Sequence, residues 1–179
     1  MTDLKSKEIR SEITIDGKLN LSIATSDVPT PGDDEVLIKV EASPINPSDL
    51  GLLISFAADL ESISTSGEGE NTVTSMGIHP GLMQSMKPRL DKSMKVGNEG
   101  GGVIVDAGKN VKDLVGKTVG VAGGAMYSQY RCLPAMSCLV MNEGTTSAEA
   151  ASSFVNPLTA LGFTAVSYTH LRAHETVTY

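Results

Sequence analysis

The stretch Glu35–Asp49, EVLIKVEASPINPSD, decides how the rest of the chain is read. Val36, Ile38, Val40 and Ala42 fall on one side of a two-residue alternation and Leu37, Lys39 and Glu41 on the other, the period of a strand. Pro44 and Pro47 end it, because proline fixes φ and carries no N–H. The expected element is a strand that runs into a rigid loop, Ser43–Asp49, presenting Asn46, Ser48 and Asp49.

Upstream, Ile13 and Ile15 alternate with polar residues, and the alternation resumes at Leu19, Leu21 and Ile23 after Asp16-Gly17-Lys18. This predicts a hairpin. A three-residue loop over Asp16–Lys18 would pair Ile15 with Leu19 and Ile13 with Leu21, placing every apolar side chain on one face. Downstream, 51–95 has no sustained period and is rich in Ser, Gly, Thr and Met. It is expected to be an insertion or irregular loop, with Ser64–Thr74 as a mobile loop and one or two helical turns over Leu82–Lys87 that stop at Pro88.

Strands return at Val103, Val105, Val119 and Val121, and then as Tyr127–Cys132 and Cys138–Met141. Short strands with glycine corners point to a closed or nearly closed β-barrel, and the chain is read as mainly β with a few helices, an α+β class. Thr146 with Glu149 three residues on has the form of a capping box before an alanine-rich helix. Asn156-Pro157 is expected to separate that helix from another beginning near Leu158.

A net charge of −7 argues against nucleic acid or an anionic membrane as a main partner, since both need a basic face. The two cysteines, Cys132 and Cys138, are too few for a disulfide framework or a four-cysteine zinc lobe, and they favour a reduced, cytoplasmic setting. With no obvious His partner nearby in sequence, neither reads as a nucleophile. No apolar run approaches the roughly 18 residues of a membrane span. Gly116-Lys117-Thr118 imitates part of a phosphate-binding P-loop, but Val111 stands where that motif needs glycine. Gly100-Gly101-Gly102 leads into a strand rather than a helix, so close backbone packing or a bulge is expected there.

Three segments, in order, resemble the GroES-like, alcohol dehydrogenase-like N-terminal catalytic domain of the medium-chain dehydrogenase/reductase superfamily, in particular its zinc-independent quinone oxidoreductases. Val40–Asp49 resembles V-x-A-x-x-x-N-P-x-D, and Gly97–Ile104 resembles G-x-E-x-x-G-x-V with Ile in the last place. Gly124–Tyr130, with Asn142-Glu143-Gly144 and Asn156–Gly162, resembles the last barrel strands and the helix that enters the cofactor domain. The resemblance spans roughly residues 10 to 165. It implies a GroES-like catalytic domain, a partly open β-barrel, over 1–150, the start of a linker helix over 151–165, and a Rossmann domain beyond these residues. The segment 166–179 departs from the family and resembles translated sequencing-adapter read-through. It is expected to be a non-native tail, poorly ordered or helical only by prolonging the preceding helix, so His170, His174 and Glu175 are not read as a metal site.

The resemblance also implies the chemistry. Zinc-dependent members carry metal ligands where this chain has Asn46, Asn98 and Val155. Two amides and a valine make a poor zinc site, so a zinc-free protein is expected, with hydrogen-bond donors polarising the substrate oxygen. The implied function is hydride transfer from NADPH or NADH to a quinone, enone or related carbonyl, with these 179 residues inactive alone. Asn46, Thr159 and Tyr127 are the catalytic candidates, and Asn46, Ser48, Asp49, Asn156 and Thr159 the cofactor-binding ones. Each has a plainer role: Asn46 and Ser48 as turn residues, Thr159 as a helix hydroxyl bonding backbone, Tyr127 as a barrel-end residue. Glu99, an acid in the glycine-rich turn, is expected to be structural and buried. Partners are a small-molecule substrate and, in a longer protein, a second copy. Two other functions stay open: a non-catalytic structural or membrane-associated relative of the same fold, and a zinc-type alcohol dehydrogenase with altered ligands.

Overall fold

A computed structural model describes residues 4–175, with side chains as far as 167. Two five-stranded antiparallel sheets make up most of it. The first has the order β4-β5-β2-β1-β6, from β1 (Lys5–Ile13), β2 (Lys18–Asp27), β4 (Ala58–Ser66), β5 (Val73–Ile78) and β6 (Met94–Lys95). The second has the order β10-β8-β7-β3-β9, from β3 (Glu35–Ala42), β7 (Gly100–Ala107), β8 (Thr118–Val121), β9 (Tyr130–Pro134) and β10 (Cys138–Val140). The helices are α1 (Pro47–Leu53), α2 (Ser147–Ala151) and α3 (Val155–Glu175). This is the mainly β architecture that the strand pattern predicts and the partly open barrel that the resemblance implies. Among the described residues no helix is long and apolar enough to cross a membrane.

Each sheet has its own core. Val36 and Ile38 of β3 pack with Ile104, Val119, Val121, Met126 and Leu133, while Ile13 and Leu19 pack with Ala57, Met76 and Ile78. The segment 127–129 joins the sheets. Ile9 N donates to Tyr127 O and Gln129 N to Lys7 O on one side, while Val40 N donates to Gln129 O on the other, each at 2.9 Å. Because these residues bridge two sheets, the regular strand begins at Tyr130 rather than at the expected Tyr127.

The first hairpin keeps a three-residue loop but places it one residue earlier. Ile13 pairs with Leu19 and Ser11 with Leu21, and Thr14 N donates to Lys18 O. The loop is therefore Ile15-Asp16-Gly17, with Gly17 at φ +80°. The last position of such a loop needs a left-handed residue, which glycine supplies and lysine resists. Ile15 is left exposed in the turn.

The segment 51–95 is not an irregular loop. β4 and β5 form a hairpin on the edge of the first sheet, and β5 pairs with β2 from Lys18↔Gly77 to Ser22↔Val73. The helical turns expected at Leu82–Lys87 are two 3₁₀ turns, Pro80–Leu82 and Lys87–Arg89. Pro88 sits inside the second turn rather than ending a helix. Arg89 ties this segment inward, donating to Gly51 O, Leu52 O and Ser11 Oγ.

Pro47 and Pro157 both stand at helix starts, and the second helix expected near Leu158 begins three residues earlier. Pro47 is the first residue of α1, so the rigid loop ends at Asn46. Asn156-Pro157 lies in the first turn of α3, which begins at Val155. A first-turn proline costs nothing, since its missing N–H would have no helical partner. The Thr146–Glu149 capping box forms as expected. The backbone of α3 runs unbroken into the atypical segment as far as Glu175, and Leu158, Leu161, Phe163 and Val166 along it are exposed. The side chains of His170, His174 and Glu175 lie outside the described residues.

Candidate active site

Three separate pieces of chain meet at the head of α3: the end of the β3–α1 loop, the turn before β7, and the α2–α3 junction. The glycines before and within β7 make the approach feasible. A Cβ on Gly102 would lie 2.0 Å from Lys39 O, and one on Gly101 2.4 Å from Ser147 O. β3 and α2 are thus pressed against the backbone of β7, and β3 carries a register shift opposite Gly101 and Gly102. Close packing with a bulge, rather than a phosphate loop, explains the three glycines.

Glu99 is the centre of the arrangement and has no exposure. Its Oε1 accepts from Asn46 Nδ2 at 2.9 Å. Its Oε2 accepts from Val155 N at 2.9 Å and Phe154 N at 3.2 Å. These amides stand at the N-terminus of α3, where helical N–H groups lack intrahelical partners and the helix dipole favours negative charge. Asn156 Nδ2 donates back to Asn46 Oδ1 at 3.3 Å. Asn46, Asn156 and Glu99 therefore form one chain of hydrogen bonds.

Asp49 is 1 % exposed, and both of its oxygens are used. Oδ2 accepts from Asn46 N and Oδ1 from Asn98 N, each at 2.8 Å. Asp49 thus clamps the two loops together. Ser48 is on the surface, where its Oγ accepts from Asn98 Nδ2 at 3.0 Å. The hydroxyl proton of Ser48 has no acceptor among the described residues.

Tyr127 stands beside this cluster. Its hydroxyl donates to Pro44 O at 2.9 Å. Burial, then the negative charge of Asp49, push its phenol up to about 12. Tyr127 is therefore a neutral phenol whose one proton is committed to the loop. Gly97, at φ +95°, makes room for it, since a Cβ there would lie 2.6 Å from Tyr127 N. Thr159, one turn into α3, is exposed and donates to Val155 O at 2.7 Å, the backbone bond of a helical hydroxyl.

An open groove of about 430 Å³ adjoins the loop. Ile9, Ile23, Val40, Ala42, Ile45 and Met126 give it an apolar wall, and Ser43 and Tyr127 connect it to the Asn46 loop. The structure thus brings Asn46, Ser48, Asp49, Asn156 and Tyr127 into one neighbourhood, with Thr159 on the helix that starts there. Sequence reasoning missed that Glu99 reaches α3 directly and that Asn98 holds Ser48. No local sequence signal marks either contact, since the partners lie about fifty residues apart or more.

No protein-family model matches the sequence, and no curated protein matches it. Solved structures do match. A Mesorhizobium loti protein assigned as an NADPH:quinone reductase superposes with a TM-score of 0.61 at 23 % identity, covering 95 % of this chain and 46 % of that one. The quinone oxidoreductase from Coxiella burnetii gives 0.57 at 19 % identity, covering 89 % and 44 %. Etr1p, solved with NADP and crotonyl-CoA, gives 0.57 at 18 % identity, covering 88 % and 42 %. The chain spans less than half the length of these solved chains.

Proposed function

Because the chain has the fold found in the medium-chain dehydrogenase/reductase superfamily, among NADPH:quinone reductases and enoyl reductases, we propose that it forms the substrate-side wall of an NAD(P)H-dependent oxidoreductase. The proposed reaction is zinc-free reduction of a quinone, enone or related carbonyl. The observation that carries this is the convergence of Asn46, Ser48, Asn156 and Glu99 at the head of α3, beside an apolar groove.

The nicotinamide would supply the hydride. Its carboxamide matches the polar groups of Asn46, Asn156 and Thr159, which offer both donors and acceptors. Ser48 is suited to polarise a substrate oxygen, since Asn98 fills an acceptor site on Oγ and leaves the proton to donate. Tyr127 and Asp49 hold the loop in place rather than meet the substrate. The open groove beside the loop would take the apolar body of the substrate. The glycines at 100–102 face protein backbone, so the grip on the pyrophosphate must come from residues other than these.

The donor set argues against zinc. Both ends of the Asn46 amide are engaged, Asn98 is turned to Ser48, and Val155 has no donor side chain. A cytoplasmic setting, a small-molecule substrate and dimerisation in a longer protein complete the proposal. The test is NADPH oxidation by the longer protein that carries this chain, against a panel of quinones and enones, with metal analysis alongside. Turnover without bound metal supports the proposal. No turnover across the panel favours a non-catalytic relative, and stoichiometric zinc favours an alcohol dehydrogenase.

A further inference from the structure

We propose that Glu99 is a positioning residue that fixes the polarity of the Asn46 amide, so that Asn46 presents an acceptor, its Oδ1, to whatever binds at the head of α3. Both oxygens of Glu99 accept hydrogen bonds, so nothing there donates to Asn46. Only the Nδ2 end of the amide can face it. Reversed, the amide would set Oδ1 against a carboxylate oxygen at hydrogen-bond distance, two acceptors in a buried place. Among the described residues no lysine or arginine forms an ion pair with Glu99. The N–H groups of Asn46, Phe154 and Val155, with the positive end of α3, hold its charge instead.

Oδ1 is left facing Asn156, which is exposed and donates over a long 3.3 Å. A ligand can replace that partner only by bringing a donor of its own. The matching chemistry is a primary carboxamide N–H or a hydroxyl, while a carbonyl oxygen is mismatched. This choice of ligand group rests on the function proposed above and assigns Asn46 to the cofactor carboxamide rather than to the substrate oxygen. The polarity itself does not depend on that function.

The test uses NMR on the 179-residue chain without cofactor. In the parent, Phe154 and Val155 amides should be protected from hydrogen exchange although they begin a helix, and the Asn46 Nδ2 protons should show NOEs to the Glu99 methylenes. Glu99→Gln has one acceptor oxygen, so one arm must fail. Either the two backbone amides exchange about tenfold faster or more, or the Asn46 amide turns over and its NOEs move to Asn156. Unchanged exchange together with unchanged NOEs would overturn the proposal. A double-mutant cycle covers a poorly folded single variant. Asn46→Asp alone sets two carboxylates together and should raise the unfolding constant by about 30-fold or more. Adding Glu99→Gln puts a donor opposite an acceptor again and should recover most of that loss. Strictly additive effects in the cycle would also overturn it. A failure of NADPH to bind would leave these outcomes untouched.

Discussion

Gly101→Ala isolates the packing on which the candidate site depends. The new Cβ would lie 2.4 Å from Ser147 O, 2.6 Å from Ala151 N and 3.0 Å from Ala150 C. Carbon–oxygen contacts settle at about 3.3 Å or beyond, so α2 must retreat by about 0.9 Å. No side-chain rotamer can relieve the clash, because the atoms met are helix backbone. Overpacking of this kind costs about 1–3 kcal/mol, and a site without soft neighbours belongs at the upper end. The reduced freedom of alanine in the unfolded chain returns about 0.4–1 kcal/mol. The net expectation is about 2 kcal/mol, or about 4–8 °C in Tm for a chain of this size. Urea unfolding followed by circular dichroism measures it, with the slope unchanged if the unfolded state is unaffected. Gly116→Ala is the control: its added Cβ meets nothing within 4 Å and only the φ of +85° opposes it, a strain of about 1 kcal/mol. A Gly101→Ala loss below about 0.5 kcal/mol would refute the argument that the glycines exist for close backbone approach.

Three further outcomes follow from the same structure. The Tyr127 phenol, pushed up to about 12, should ionise late in an absorbance titration near 295 nm, and Tyr127→Phe should delete that step. Its folded pKa exceeds the ordinary value, so its contribution to stability is complete below about pH 10 and is lost as pH rises toward 12. Cys132 and Cys138 are each pushed up to about 11, chiefly by burial, so iodoacetamide near pH 8 should label the native chain about a hundredfold more slowly than the urea-unfolded one. Equal rates would contradict that. Arg89→Met removes three hydrogen bonds and strands the carbonyls of Gly51 and Leu52, so a loss of about 2–3 kcal/mol is expected in thermal melts. Loss of less than half that would mean that solvent or side chains readily replace the guanidinium.

Much of the barrel was legible because its strands bury one face. Val36, Ile38 and Val40 announce β3 by alternation alone, and Thr146 with Glu149 announces α2 by its cap. The β4–β5 hairpin was not legible. β4 is an exposed edge strand whose register jumps between Asp59 and Ser64, so no alternation survives in its sequence. The apolar pattern alone places the hairpin loop one residue late, because the left-handed backbone at Gly17 fixes the loop's last position. The site divides the same way. Asn46, Asn98 and Thr159 stood out only through resemblance, since an Asn-Pro-Ser-Asp run is otherwise an ordinary turn. Glu99 was recognised as buried, but its bonds to Asn46, Phe154 and Val155 join positions more than fifty residues apart. Local periodicity carries no trace of such contacts.

The most direct test of the central claim is an NMR titration of the 179-residue chain with NADPH. The proposal under test is that the chain contributes the nicotinamide end of a reductase site, with the grip on the pyrophosphate supplied by residues other than Gly100–Gly102. The account predicts shifts confined to Asn46, Ser48, Asn98, Asn156 and Thr159 that stay unsaturated up to about millimolar cofactor, the weak affinity of a half-site. Saturation in the micromolar range, or shifts centred on Gly100–Gly102 or scattered over the β4–β5 hairpin, would contradict it.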